Sequence, residues 1–221
     1  LWQDRVAGRP ADWAAERLLE TGFLSNGRFV LPDSRTERDA WFAGLFALFP
    51  ELSPLGEKLP LRSGDETIAL VDRRLFRPLG LPTVCVRLWI LEGERFWLGK
   101  RNEALGPGLW DSPVGGLLSG EESPREALFR EAYEEAGLDL QALPLTEGPR
   151  FEEDRLVPEG RLVETTVNRV LRVSTPPVLT ARDGEVERFE SFSVEEVRSL
   201  IRSGRMLPDA ARSWSALAEH R

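Results

Sequence analysis

The chain has 221 residues, 41% of them apolar and 30% charged, a balance that supports a packed core and argues against disorder. Its 37 acidic residues outnumber 29 basic ones for a net charge of −8, which argues against a nucleic-acid polymer or an anionic membrane as partner, because phosphates call for a basic surface. A small anionic substrate stays compatible with this charge if a bound divalent cation offsets the repulsion.

In chain order, residues 10–20 are predicted to form a helix opened by Pro10 and closed by Gly22. Residues 23–31 read as strand–turn–strand about Asn26-Gly27. A second helix, from about Arg35 to Leu48, places Trp41, Leu45 and Leu48 at helical spacing and stops at Pro50. Residues 50–64 are rich in Pro and Gly and read as a loop, and residues 67–71 as a strand. The structure breakers in Arg77-Pro78-Leu79-Gly80-Leu81-Pro82 set a boundary between a small N-terminal α/β domain, residues 1–80, and a larger domain, residues 81–221. The chain opens on Leu1, so its native start is expected upstream.

Past the boundary, residues 83–91 and 95–100 read as strands joined through Glu92-Gly93-Glu94. Cys85, the one cysteine, lies in the apolar run of the first of them and reads as a small buried hydrophobe, with no disulfide or thiolate zinc cluster open to it. Residues 109–116 read as a strand and a glycine turn, 124–136 as a helix, and 150–156 with 161–173 as a hairpin about Pro158-Glu159-Gly160. A strand over 186–193 and helices over 194–201 and 209–219 complete the chain. Hairpins with helices between them point to α/β layers rather than a doubly wound sheet. The single histidine, His220, is penultimate, which leaves proton transfer to carboxylates, lysines or water. No apolar run approaches the roughly 18 residues of a membrane span, and the expected compartment is the cytoplasm.

The most informative stretch runs from Gly115-Gly116 through Gly137-Leu138. Ser123 suits a helix N-cap, Pro124 the first helical position, Glu126 a capping box and Gly137 the C-terminal stop. Glu122 then falls in the loop just ahead of the helix. With Glu131 set at 0° and about 100° per residue, Glu135 falls near 40°, Glu134 near 300° and Ala127 near 320°. Leu128, Ala132, Ala136, Phe129 and Tyr133 fall between about 60° and 200° and mark the expected core face. Three like charges within a turn repel, and Arg130 or a divalent cation would relieve them. Oxygen ligands without His or Cys favour Mg²⁺ or Mn²⁺ over zinc. A solvated Arg/Glu-rich surface is the alternative for these residues taken alone.

The spacing decides between the two. A glycine, five residues, a glutamate, seven residues, then Arg-Glu-x-x-Glu-Glu-x-Gly is the Nudix box, and Gly116, Glu122, Arg130, Glu131, Glu134, Glu135 and Gly137 fill its fixed positions. A chance match is on the order of one in a million at background frequencies. The chain therefore resembles the Nudix hydrolases. That resemblance implies an α/β/α sandwich around a mixed β-sheet, here preceded by the small N-terminal domain, and hydrolysis of a small-molecule diphosphate with Mg²⁺ or Mn²⁺. It implies Glu134 and Glu135 as metal ligands, Glu131 as a metal ligand or acceptor of the attacking water's proton, and a metal contact from the Gly115 carbonyl. Glu122 and Arg130 resemble the pair that ties loop to helix, with Glu122 a candidate for a second metal. Glu185 or Glu187, in Asp183-Gly184-Glu185-Val186-Glu187, is the candidate later carboxylate, a plain surface turn being the alternative. Lys100 and Arg101 are candidates for holding the distal phosphate, and Trp110, with Trp89 and Trp97, for stacking on a flat substrate ring. Ordinary surface charge and core packing are the alternatives.

Outside the box, Leu98-Gly99-Lys100-Arg101, Pro107-Gly108-Leu109-Trp110-Asp111 and the tail Gly204-Arg205-Met206-Leu207-Pro208 are similar to Nudix proteins allied to thiamine pyrophosphokinase. That likeness implies thiamine diphosphate or its damaged forms as substrate, giving the monophosphate plus phosphate. A nucleoside di- or triphosphate is the next expectation, and a non-catalytic ligand-sensing module the alternative from another class.

Overall fold

In the computed structural model, which describes residues 10, 12–21, 24–25, 28–64, 66–102 and 108–219, the elements alternate between helix and hairpin. They run α1 (Asp12–Glu20), β1 (Leu24–Ser25), β2 (Arg28–Phe29), α2 (Arg35–Gly44), β3 (Lys58–Ser63), β4 (Glu66–Asp72), α3 (Phe76–Leu79), β5 (Pro82–Glu92), β6 (Arg95–Arg101), β7 (Trp110–Asp111), β8 (Val114–Leu117), α4 (Pro124–Ala136), β9 (Leu145–Val157), β10 (Gly160–Val173), β11 (Val186–Ser193), α5 (Val194–Arg202) and α6 (Pro208–Glu219). The expected turn at Asn26-Gly27 and the histidine at 220 lie outside the described residues. Among the described residues no helix is long and apolar enough to cross a membrane.

The chain divides into two units. The first comprises residues 1–84, 117–122 and 152–165, and the second residues 85–116, 123–151 and 166–221.

In the first unit, Leu18, Phe42, Leu45, Phe49, Leu59, Leu61, Val71 and Leu75 build one apolar core. Helix α2 begins with a capping box in which Ser34 and Glu37 satisfy each other's backbone amides. It stops earlier than expected, at Gly44, and tightens into a 3₁₀ turn over Leu45–Ala47. The Asp39 carboxylate ties α2 to β4 by accepting the Leu70 N–H at 2.7 Å.

One expectation fails in this unit. Residues 58–63 form β3 rather than loop, paired antiparallel with β4. Pro60 donates no ladder bond, and a two-stranded ribbon tolerates that while Leu59 and Leu61 are buried. Pro78 lies within the one-turn helix α3, which Gly80 ends in the left-handed conformation (φ 61°).

In the second unit the main sheet has the order β11-β6-β5-β10-β9, with β7 added to β6 and β8 to β5. Strand β5 is buried from Cys85 through Leu91, a run expected when both faces of a sheet are covered. Its alternation shows the layering. Trp89 and Leu91 join Phe96, Leu98 and Val170 beneath Val197 and Leu200 of α5 and Ala210, Trp214 and Leu217 of α6. Val86 faces the other way and lines a small cleft with Val167 and with Leu128 of α4. Cys85 is buried, as the composition of its strand predicts.

The pairing of β11 with β6 slips between Val186 and Arg188, leaving Glu187 as the extra residue of a bulge. Strand β9 begins at Leu145, five residues before its expected start at 150, whereas β10 and β11 lie close to the expected positions.

Candidate active site

Helix α4 is set by its own sequence. Ser123 Oγ accepts the Glu126 N–H, the Glu126 carboxylate accepts the Ser123 N–H at 2.8 Å, Pro124 takes the first position, and Gly137 ends the helix at φ 66°. Which face of it meets the sheet is a different matter, and here the helical wheel needs correction. The buried residues are Ala127, Leu128, Ala132, Glu135 and Ala136. On the scale used above they run from about 320° to about 140°, so Glu135 sits near the middle of the buried stripe. Tyr133, expected in the core, is 57% exposed, and Phe129 is half-buried. Arginines cover both rings instead, Arg125 lying 4.5 Å from the Phe129 centroid and Arg182 4.7 Å from that of Tyr133.

Glu135 is only 3% exposed. Its Oε2 accepts the Gly115 N–H at 2.9 Å. Burial pushes its carboxyl up to about 9 in the metal-free chain; the Gly115 bond opposes this, and the neighbouring charges of Glu131, Asp111 and Asp183 add to it. Asp183 and Glu185, from the segment before β11, each bring a carboxylate oxygen to it, the three ligand atoms lying within 4.8 Å of one another.

A desolvated carboxyl ringed by acids needs either a proton or a cation. An all-oxygen set of this kind fits a hard divalent ion such as Mg²⁺ or Mn²⁺.

Glu131 and Glu134 are not part of that trio. Arg130 bridges them, its Nη1 lying 2.9 Å from Glu131 and 3.1 Å from Glu134, which is half-exposed. Glu131 lies instead against Gly116, where a Cβ would fall 2.0 Å from its Oε1. Gly115 and Gly116 are not in the expected turn but inside β8, so it is the missing side chain at 116 that brings strand and helix together, not an unusual backbone angle. Glu122 belongs to the first unit, where its Oε1 accepts the Ser119 N–H at 2.5 Å and its carbonyl accepts from Arg62 at 3.4 Å.

The other expected residues separate into two groups. Glu185 joins Glu135, while Glu187, displaced by the bulge, pairs with Lys100 at 2.9 Å and with Arg188 at 2.5 Å. Arg101 pairs with Glu185 at 3.1 Å, and its other terminal nitrogen lies 4.0 Å from Asp111. Both cations proposed for phosphate are therefore engaged with carboxylates. Trp110 is a core residue rather than an open platform. It is 6% exposed, edge-on to Phe192 at 4.6 Å, with the Arg188 guanidinium 5.5 Å from its ring. Trp89 is fully buried, and the half-buried Trp97 donates from Nε1 to Glu92 at 3.2 Å.

Sequence reasoning missed Asp183. Asp-Gly reads as a turn, and Asp183 does accept the Glu185 N–H at 2.9 Å in one, which masks its nearness to Glu135. It also missed the buried pair of Arg87 with Asp111 (2.6 Å), completed by Ser112 Oγ at 2.9 Å from Arg87.

A family model of the NUDIX domain matches residues 81–213, more than half of the chain. The chain belongs to the Nudix family. Its architecture is the Nudix one, an α/β/α sandwich about a mixed sheet. A structure of the same fold is DR0079 from Deinococcus radiodurans, with a TM-score of 0.57 at 22% identity, covering 71% of this chain and 96% of that one. Another is a bifunctional NMN adenylyltransferase/ADP ribose pyrophosphatase from Francisella tularensis, with a TM-score of 0.51 at 22% identity, covering 66% of this chain and 43% of that one. At this identity the likeness concerns the fold alone.

Among curated relatives, this Nudix chain is 41% identical over 81 residues to an RNA pyrophosphohydrolase of Hahella chejuensis (strain KCTC 2396), 37% of this chain and 45% of that one. It is 37% identical over 82 residues to an RNA pyrophosphohydrolase of Alkalilimnicola ehrlichii, 36% of this chain and 40% of that one. The chain thus spans less than half the length of the curated relatives it matches.

Proposed function

We propose that the chain hydrolyses a diphosphate bond of a small molecule with the help of Mg²⁺ or Mn²⁺, its hydrolase domain spanning residues 81–221 after a small N-terminal α/β domain. The observation that carries this reading is the buried Glu135 carboxyl with Asp183 and Glu185 beside it. Glu135, Asp183 and Glu185 would hold the ion, joined by Glu131, Glu134 and the Gly115 carbonyl as the box implies, with Glu122 a candidate for a second ion. Bound there, the ion supplies a water of lowered pKa and positive charge toward the leaving phosphate.

Glu131 accepts the proton of the attacking water at its carboxylate, and Arg130 orients both Glu131 and Glu134. Arg101 acts by holding Glu185. Lys100 reaches a phosphate only by exchanging Glu187 for it.

For the organic group, the likeness of residues 98–101, 107–111 and 204–208 to thiamine-pyrophosphokinase-allied proteins supports thiamine diphosphate or its damaged analogues. A second reading, a nucleotide or a triphosphorylated RNA end, draws on the relatives named RNA pyrophosphohydrolase. The net charge of −8 weighs against a long polymer. Phosphate release with Mg²⁺ or Mn²⁺ should be measured across thiamine diphosphate and its oxidised forms, nucleoside di- and triphosphates, and a 5′-triphosphorylated oligonucleotide. Turnover that is lost in EDTA is expected. Equal turnover in EDTA would sink the reading, and metal binding without turnover of any compound would favour a sensing module.

A further inference from the structure

Asp183 and Glu185 lie on the segment that leads into β11, and something must hold that segment to the end of α4. The Thr180 N–H donates to the Ala136 carbonyl at 2.9 Å, using one of the acceptors that a helix end leaves unpaired. Two residues on, the Arg182 guanidinium lies over the Tyr133 ring, its carbon 4.7 Å from the centroid. It also crosses Gly137, where a Cβ would fall 2.8 Å from Arg182 Nε and 3.1 Å from its guanidinium carbon. The glycine that ends the helix in the left-handed region thus also vacates the volume that Arg182 fills. The chain then turns through Asp183, whose carboxylate accepts the Glu185 N–H, and both acids arrive beside Glu135. Tyr133 contributes little to the core, since more than half of it is exposed. What it offers is a ring face one helical turn before Gly137 and two residues before Glu135.

We propose that Tyr133 and Arg182 form a latch that fixes the 180–185 segment against α4, with Arg182 a positioning residue that delivers Asp183 and Glu185 to the cation. The inference rests on the metal-binding reading above. A ring suits this task better than a carboxylate. It holds a guanidinium through its π face without adding another negative charge beside Glu135.

The test is a Mn²⁺ titration of the full chain, followed by electron paramagnetic resonance and without substrate. Arg182→Ala and Tyr133→Ala are each expected to raise the Mn²⁺ Kd roughly two- to fivefold, the factor that an exposed cation–π contact supplies. The double variant should be no weaker than either single one, because both remove the same contact. Tyr133→Phe keeps a ring and should retain wild-type affinity. In the metal-free chain, Arg182→Ala should also speed hydrogen exchange at the Thr180 amide. Both side chains are exposed, so the variants should fold. Wild-type binding with an unchanged Kd in both alanine variants overturns the latch alone, as does a Tyr133→Phe variant as weak as Tyr133→Ala. No Mn²⁺ binding by the wild type overturns the cation reading and the latch with it.

Discussion

Glu131 occupies the space that any side chain at residue 116 would need: a Cβ there would fall 2.0 Å from its Oε1 and 2.2 Å from its carboxyl carbon. Gly116→Ala should therefore push the Glu131 carboxylate off its position while leaving β8 in place, since this glycine has no left-handed backbone angle to lose. If Glu131 takes the water's proton as proposed, its displacement should lower kcat by at least about 10²-fold. Overpacking should cost about 1–3 kcal/mol of stability. Turnover on the best substrate of the phosphate-release panel, beside a thermal melt, checks this. A kcat within twofold of wild type would remove Glu131 from the reaction.

Glu135 makes the stability of the metal-free chain fall as pH rises. Its carboxyl is pushed up to about 9 in the fold, against an ordinary value of 4.5. Below about pH 4.5 both folded and unfolded chains hold the proton and the contribution is complete. Between about 4.5 and 9 the unfolded chain has released the proton and the folded one has not, so stability is lost across that window. Carboxylates held below their ordinary value, such as Glu126 and Glu196 at their capping boxes, act with the opposite sign and below about pH 4.5. Melting temperatures from pH 5 to 9 should fall in EDTA and flatten in millimolar Mg²⁺, which favours the ionised carboxylate. Identical slopes with and without Mg²⁺ would count against the cation site.

Glu135→Gln separates metal binding from packing. The amide is close in shape to the neutral carboxyl of the metal-free chain and can still accept the Gly115 N–H. In EDTA at pH 8 the variant should be at least as stable as wild type, and its melting temperature should no longer depend on pH between 5 and 9. It should nevertheless lose Mn²⁺ affinity and at least about 10²-fold in turnover, the scale of several kcal/mol from a bound cation. Wild-type turnover in this variant would move the reaction away from Glu135.

Much of α4 was legible because its signals are local. Ser123, Pro124, Glu126 and Gly137 mark a start and a stop by capping chemistry alone, and the helix runs Pro124–Ala136 as they predict. The face it turns inward was not legible, since tertiary packing decides it. Counting carboxylates as polar and aromatics as core put Tyr133 inside and Glu135 outside, whereas the small Ala127, Ala132 and Ala136 let the helix approach the sheet on the Glu135 side. Asp183 was hidden for a related reason. Its turn chemistry is visible in sequence, but its nearness to Glu135, 48 positions earlier, depends on how the 180–185 segment docks. Lys100 and Arg101 showed as cations beside a strand end, while the bulge that gives Glu187 to Lys100 and leaves Glu185 to Arg101 comes from strand register, which charge patterns do not encode.

Asn168 is expected to matter for stability and not for chemistry. It is fully buried on β10, and its Oδ1 accepts from Trp89 Nε1 at 3.0 Å and from Ser213 Oγ at 2.5 Å. Its Nδ2 donates to the Pro149 carbonyl at 2.6 Å, so one side chain joins β5, β9, β10 and α6. Asn168→Leu keeps the number of heavy atoms and the branching at Cγ and strips every one of those bonds. Trp89 Nε1 keeps Ser213 Oγ as an acceptor at 3.0 Å, but the Pro149 carbonyl loses the Asn168 amide. The variant should lose about 2–3 kcal/mol, the cost of buried groups deprived of partners. With a urea slope of about 1–3 kcal/mol per molar, the midpoint should fall by roughly 0.7–3 M. Turnover per folded molecule should stay within twofold of wild type, because none of these atoms belongs to the Glu135 cluster or to the Glu131 contact. A midpoint shift under about 0.2 M would show that the four elements are held together by apolar packing alone.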